Sequence, residues 1–116
     1  MQSDKSKYIF TIDLGTNGPK VALISTTGEV IAHEFEENDV ILLPNGGAEQ
    51  DPDDWWQAIS KSAQRLVAKN QAQIKDVVAV SCTSQWSGTV AVDQEGNPLM
   101  NAIIWMDTRG EPYVNN

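Results

Sequence analysis

Apolar runs separated by turn residues predict three short strands in the first third of the chain. The run 8–14 is apolar and β-favouring, and a second run, 21–24, follows a short polar stretch. The Asn17-Gly18 pair between the two runs is typical of a hairpin. Residues 30–35 then alternate between apolar and polar, so a third strand completes an antiparallel meander.

The next two segments are predicted as a loop and a helix. The stretch 36–50 has no period and contains Pro44 and a Gly-Gly pair, which indicates a loop. Asp51 followed by Pro52 and two acidic residues satisfies three rules for a helix start, and the helix should end near Asn70. The positions predicted to form its apolar face are Trp55 or Trp56, Ile59, Ala63, Leu66 and Val67.

The last third of the chain predicts three more strands. The apolar run 77–82 should be a strand buried on both faces and parallel to the first, because a strand–helix–strand crossover usually pairs its strands in parallel. Cys82 in this run is expected to be a buried small hydrophobe and not a reactive thiol. Residues 88–93 and 102–105 should be strands joined by a turn at Gly96-Asn97-Pro98.

A meander, a helix and a parallel strand form the opening half of a ribonuclease-H-like or actin-like α/β domain. Residues 1–116 are therefore expected to be a truncated, partial N-terminal domain, since that architecture carries further helices on the other sheet face. An apolar sheet face should be left open, larger than soluble monomers usually tolerate. We expect the isolated chain to self-associate, by sheet-face packing or by exchange of the segment 88–105.

Composition narrows the range of functions. A net charge of −8, without clustered Lys and Arg, argues against nucleic acid or an anionic membrane as the main partner. No signal peptide precedes Tyr8 and no apolar stretch approaches the length of a membrane span, so we expect a cytoplasmic protein. His33 has no partner His or Cys nearby, which makes a zinc site improbable.

The first candidate site is the Asp-x-Gly-Thr hairpin. Gly15 lets the backbone approach a phosphate, turn N–H groups and the Thr16 hydroxyl can donate to it, and Asp13 can hold Mg²⁺ through water. Lys20 adds a positive charge. A hairpin without a ligand explains the same residues. The stretch also resembles the first phosphate motif of the actin and sugar-kinase superfamily.

Three further stretches strengthen this resemblance. Residues 84–88 (Ser-Gln-Trp-Ser-Gly) follow the strand at 77–82, residues 101–109 carry Trp-x-Asp-x-Arg, and residues 47–52 read Gly-Ala-Glu-Gln-Asp-Pro. Together with the hairpin, they resemble the N-terminal landmarks of the FGGY carbohydrate kinases, over residues 9–109. That family includes kinases of glycerol, xylulose, ribulose, gluconate and rhamnulose.

The resemblance implies an ATP-dependent sugar or polyol kinase that uses Mg²⁺. It places the following residues at the nucleotide, with Asp13 also at the metal: Asp13, Gly15, Thr16, Asn17 and Lys20. It places the following residues at the sugar: Gln85, Trp86, Ser87, Trp105, Asp107 and Arg109. For the tryptophans the alternative is core packing, and for Asp107 and Arg109 it is a weak surface ion pair. The family's catalytic base lies beyond residue 116, so the chain alone should be inactive.

Two departures from the family pattern leave a second function open. Asn17-Gly18-Pro19 replaces the small hydroxyl residues usual after Asp-x-Gly-Thr, which removes possible phosphate donors. Trp86-Ser87 differs from the Arg-Glu of glycerol kinases and the Met-His common in xylulose kinases, so both usual substrates are in doubt. The alternative is a non-catalytic actin-like or sugar-sensing protein that retains the sugar groove.

Overall fold

A computed structural model describes residues 6–114 of the chain. The strands are β1 Tyr8–Gly15, β2 Gly18–Ser25, β3 Val30–Phe35, β4 Ile41–Leu42, β5 Ala48–Gln50, β6 Val77–Ser84 and β7 Ala102–Ile103. The helices are α1 Pro52–Lys69, α2 Gln71–Ile74 and a 3-10 turn, Glu111–Tyr113. The predicted meander is present, with strand bounds within a few residues of those expected.

The hairpin between β1 and β2 closes over two residues, Thr16 and Asn17, with Gly15 paired to Gly18. Gly18 has a φ of 132°, and a side chain there would overlap the carbonyl oxygen of Glu36. The segment after β3 is tied to this turn, since the Asn38 N–H donates to the Asn17 carbonyl at 3.0 Å. Glycine is therefore required at position 18, and the hairpin end is held by the chain that passes over it.

Helix α1 begins as predicted. The Asp51 side chain caps it by accepting from the Asp53 N–H at 2.9 Å, with proline in the first turn. Its buried face is Ala58, Ser62 and Leu66, so the predicted face is shifted. Leu66 is buried as predicted. Of the two tryptophans, Trp55 packs against a buried cluster and Trp56 is 69% exposed.

The main sheet has the order β3-β2-β1-β6, with β6 parallel to β1 as predicted. Helix α1 packs over β2 and β3, where Val21, Leu23 and Leu66 form a fully buried core. Strand β6 lies outside this cover, and Val80 is 68% exposed. The prediction that β6 is buried on both faces is therefore wrong for this chain, and so is the prediction that Cys82 is buried.

A second sheet, with the order β4-β5-β7, was not predicted. Strands β4 and β5 fall inside the stretch 36–50, whose prediction as loop is wrong because these strands are too short to show a period. Ala48, Ala102 and Ile104 form the core beneath this sheet.

The predicted strand 88–93 is also wrong. In it only Thr89 and Val92 make isolated bridges, and the strand predicted at 102–105 shortens to β7. The turn at Gly96 is present, with a φ of 88° and an N–H that donates to the Asp93 carbonyl at 3.2 Å.

Candidate functional site

The hairpin end presents a carboxylate and an ammonium group to solvent. Asp13 and Lys20 are paired across β1 and β2, with 3.9 Å between Oδ2 and Nζ, and both side chains are more than half exposed. A side chain at Gly15 would stand 3.6 Å from the Lys20 Nζ. The bare backbone at Gly15 thus leaves the space beside the ammonium group open, which suits a bound anion such as a phosphate.

Thr16 joins the hairpin to residues 84–88 and 101–109, the two segments that the family resemblance predicts to lie at the sugar. The Trp105 indole Nε1 donates to the Thr16 hydroxyl at 2.8 Å. That hydroxyl donates to the Gln85 Oε1 at 3.3 Å, and the Gln85 backbone N–H donates to the Leu14 carbonyl at 2.7 Å. Residues far apart in the sequence therefore meet at one end of the main sheet.

Gln50 is a buried residue at this junction that the sequence did not single out. It is fully buried, and its Nε2 donates to the carbonyl oxygens of Thr16 at 2.7 Å and Asp39 at 3.2 Å. Its Oε1 accepts from Gln85 Nε2 at 2.8 Å and from Trp55 Nε1 at 3.2 Å. We call Gln50, Gln85, Thr16, Trp105 and Trp55 the Gln50 network. In the sequence, the one feature that could have indicated a role for Gln50 is its position in the family-like stretch 47–52.

Asp107 and Arg109 form a tight ionic cluster with Glu49, a residue that was also missed. Arg109 Nη2 lies 2.6 Å from Asp107 Oδ2 and 2.7 Å from Glu49 Oε1. Asp107 also accepts from the Ala48 N–H at 2.9 Å, and its side chain is only 7% exposed. Arg109 and the Ala48 N–H together lower the pKa of Asp107 from 3.8 to about 2. The cluster is therefore partly buried and held by several hydrogen bonds, unlike the exposed surface ion pair of the alternative.

Glu49 holds the far side of this cluster. Hydrogen bonds from Asn101 and then Arg109 lower the pKa of Glu49. In turn, hydrogen bonds to the carboxylates of Asp107 and then Glu49 raise the pKa of Arg109. Gly47 makes room for the guanidinium, because a side chain there would stand 3.1 Å from its Cζ and Nε atoms. The cluster thus fixes Arg109 at the edge of β5.

A cleft of about 500 Å³ lies beside this cluster. Four of the residues that the sequence assigned to the sugar line it, namely Ser87, Trp105, Asp107 and Arg109. Ser87 has a positive φ of 53°, unusual for a residue other than glycine. The other two predicted sugar residues, Gln85 and Trp86, are not among its lining residues.

Core packing does not describe Trp86 and Trp105, the two tryptophans predicted to lie at the sugar. Trp105 is 57% exposed and Trp86 is 86% exposed. An indole with one open face and a polar edge held by a hydrogen bond is suited to stack against the carbon side of a sugar. Trp105 has this arrangement, since its Nε1 is bound to Thr16.

Asp13 is a single carboxylate at the hairpin end, and residues 6–114 contain no group of three or more His, Cys, Asp or Glu side chains placed to hold a metal. Mg²⁺ bound together with phosphates needs only one or two carboxylates and keeps most of its waters. The donor set at Asp13 therefore fits a nucleotide-bound Mg²⁺. Within the same residues, no helix combines the length and apolarity that crossing a bilayer requires.

Comparison with known proteins gives the family. The description "FGGY family of carbohydrate kinases, N-terminal domain" matches residues 8–116. The chain belongs to this family. The predicted resemblance to this family is confirmed over residues 8–116.

Two curated relatives show how the FGGY chain compares with named enzymes. It is 38% identical over 106 residues to the xylulose kinase of Bacillus subtilis, covering 91% of this chain and 21% of the relative. It is 32% identical over 111 residues to the glycerol kinase of Chloroflexus aurantiacus, covering 95% of this chain and 22% of the relative. The FGGY chain thus spans about a fifth of the length of the curated relatives it matches.

Solved structures agree with the fold. A structure described as a xyloylose kinase from Brucella ovis superposes with a TM-score of 0.85 at 29% identity, covering 89% of this chain and 22% of that one. The gluconate kinase of Lactobacillus acidophilus gives a TM-score of 0.83 at 26% identity, covering 94% of this chain and 22% of that one. The predicted α/β class, the opening half of a ribonuclease-H-like or actin-like domain, is confirmed.

Proposed function

We propose that this chain is the partial N-terminal domain of an ATP-dependent kinase that phosphorylates a hydroxyl group of a small sugar or polyol. It would contribute the first phosphate-binding hairpin and part of the sugar groove. The family membership supports this proposal, as does the chain's span of about a fifth of the relatives' length. Under the same proposal the isolated chain is inactive, because the rest of the nucleotide site and the catalytic base belong to the remaining length.

The observation that carries the proposal is the contact of the hairpin with the sugar segments. Thr16 accepts a hydrogen bond from Trp105 and donates one to Gln85. Phosphoryl transfer depends mostly on holding the acceptor hydroxyl in line with the terminal phosphate. A hairpin that binds phosphate and a groove that binds sugar must therefore adjoin, and these three side chains adjoin in this fold.

For the nucleotide, we assign the phosphate end of ATP to the hairpin. Asp13 would hold Mg²⁺ through its water shell, Lys20 would supply positive charge, and Gly15 would allow close approach. The backbone N–H groups of the turn at Thr16 and Asn17 would be the phosphate donors, because the Thr16 hydroxyl already donates to Gln85. The bound ion would neutralise charge on the phosphates during transfer.

For the sugar, we assign the cleft beside the ionic cluster. Trp105 would stack on the carbon chain, while Ser87 and the Asp107–Arg109 pair would bind hydroxyl groups. Gln85 and Trp86 would complete the groove from the end of β6. Xylulose is the first substrate to test, because several of the relatives are named xylulose kinases.

The test is turnover by the complete protein with MgATP and a panel of xylulose, ribulose, glycerol and gluconate. Asp13→Ala should lower kcat/KM by at least about tenfold, because it removes the carboxylate that would hold Mg²⁺. A tenfold loss corresponds to about 1.4 kcal/mol of transition-state stabilisation. Asp54→Ala is the matched control, since Asp54 is an exposed carboxylate in the first turn of α1. Unchanged activity of the Asp13 variant would remove the phosphate-site assignment, and no turnover with any substrate would favour a sugar-sensing protein.

We also propose that the isolated chain self-associates through the open side of β6. Val78 and Val80 on this strand are 57% and 68% exposed, and helix α1 does not reach them. Strand β6 is also at the edge of its sheet, where unpaired backbone groups favour association.

A further inference from the structure

The direction of the Gln50 amide is fixed by its surroundings. Its Nε2 lies between the carbonyl oxygens of Thr16 and Asp39, at 2.7 Å and 3.2 Å. Both are acceptors only, so a reversed amide would place an oxygen against two oxygens. The Oε1 must therefore point at the two donors on the other side, Gln85 Nε2 and Trp55 Nε1.

The fixed amide determines the next two groups in turn. Gln85 must present its Nε2 to Gln50, so its Oε1 faces the Thr16 hydroxyl. The Trp105 indole N–H can only donate, and it donates to Thr16 Oγ1. The Thr16 proton must then go to Gln85, and every hydrogen bond from Trp105 to Gln50 runs in one direction.

Burial makes this arrangement stringent. Gln50 is completely buried, with 0% of its surface exposed to solvent. In the described residues, every buried side-chain nitrogen and oxygen has a hydrogen-bond partner. Removing the Gln50 amide would leave its hydrogen-bond partners unsatisfied around a fully buried position. The positions of Gln85 and Thr16 therefore depend on a residue that faces neither the cleft nor the open end of the hairpin.

We propose that Gln50 is a positioning residue that couples the phosphate hairpin to the sugar groove. It holds the Thr16 backbone through the carbonyl and the Thr16 side chain through Gln85, so the turn and the end of β6 are fixed by one side chain. Trp105, which lines the cleft, is oriented at the far end of the same network. The catalytic part of this inference rests on the proposed kinase function.

The experiment compares Gln50→Met with the wild type in the complete protein, with 15N-labelled tryptophan. Methionine keeps the shape of glutamine and removes all four hydrogen bonds. We expect the indole N–H resonance of Trp105 to shift, although Trp105 does not touch Gln50, and kcat/KM for the sugar to fall by about tenfold to a hundredfold. Ser62→Ala is the control, because Ser62 is also 0% exposed but lies in α1 outside the network. It should leave both readouts unchanged.

A second variant keeps the inference testable if Gln50→Met does not fold. Gln85→Met removes the hydrogen bonds that join Gln50 to the Thr16 hydroxyl and should reproduce the shift of the Trp105 resonance, although no hydrogen bond joins Gln85 to Trp105. An unmoved Trp105 resonance in a folded Gln50→Met or Gln85→Met protein, or an unchanged kcat/KM in a folded Gln50→Met protein, would overturn the inference. A wild type without turnover would instead contradict the proposed function, and the resonance would still decide whether Gln50 positions Trp105.

Discussion

Replacing Gly18 by alanine should destabilise the hairpin that carries the residues of the proposed phosphate site. Gly18 has a φ of 132°, a value that residues with a Cβ rarely adopt. An alanine Cβ would also overlap the Glu36 carbonyl oxygen and lie 3.1 Å from the Asn38 backbone nitrogen. The chain that crosses the hairpin end must therefore move away, and its hydrogen bonds to the hairpin are expected to break.

The size of the effect has two parts. Forcing a residue with a Cβ into an unfavourable φ costs about 1–3 kcal/mol. Two backbone hydrogen bonds are then at risk, from Glu36 N–H to the Pro19 carbonyl at 3.3 Å and from Asn38 N–H to the Asn17 carbonyl at 3.0 Å. Each contributes about 0.5–1.5 kcal/mol net, so they add about 1–3 kcal/mol. The total, about 2–6 kcal/mol, is a large share of the 5–15 kcal/mol typical of a folded protein.

Gly28→Ala separates these two parts. Gly28 also has a positive φ, 92°, but a side chain there would meet nothing within 4 Å. It should therefore show the backbone cost alone, while the gain from a less flexible unfolded state is the same in both variants. The measurement is urea unfolding at one protein concentration, comparing midpoints at equal slope. Equal destabilisation by Gly18→Ala and Gly28→Ala would refute the steric argument.

Two further predictions concern charge and association. The pKa of Asp107 is lowered from 3.8 to about 2, so the stability that its ionised form contributes is present above pH 3.8 and is lost as the pH falls toward 2. Asp107→Asn should therefore flatten the fall in melting temperature between about pH 5 and about pH 2, and an unchanged slope would contradict the assignment. Light scattering at micromolar concentration should show the isolated chain to be larger than a monomer. Val80→Asp on the open strand should reduce that mass, whereas Val30→Asp, at a 58% exposed site on the opposite edge strand, should not.

The elements that the sequence predicted well are those whose signals are local. Asp51 and Pro52 mark the start of α1 through hydrogen bonding and φ alone, so the helix is found where it was expected. The short strands β4, β5 and β7 have two or three residues each and exist only because they pair with one another. Nothing in a window of sequence reports such pairing, and the second sheet was therefore missed.

The error at β6 has a different origin. An apolar run identifies a strand that is buried in a complete domain, and it contains no information on whether the covering element is present. Val80 and Cys82 are paired with Phe10 and Ile12 of β1, on the sheet face that carries the core, yet α1 stops over β2 and β3. The sequence therefore predicted the chemistry of the strand correctly and its burial incorrectly.

The candidate site divides in the same way between local and non-local information. Sequence motifs identified Thr16, Gln85 and Trp105 as separate candidate binding residues. In the fold, hydrogen bonds join them across sequence separations of 69 and 89 residues. Gln50 has no functional signature of its own, because a glutamine that never meets a ligand differs from any other polar residue only through its partners. Residues that touch a substrate are constrained by chemistry and can be read from motifs, whereas residues that hold them are constrained by geometry. The role that we propose for Gln50 is of the second kind, because it rests on the partners at both ends of its amide.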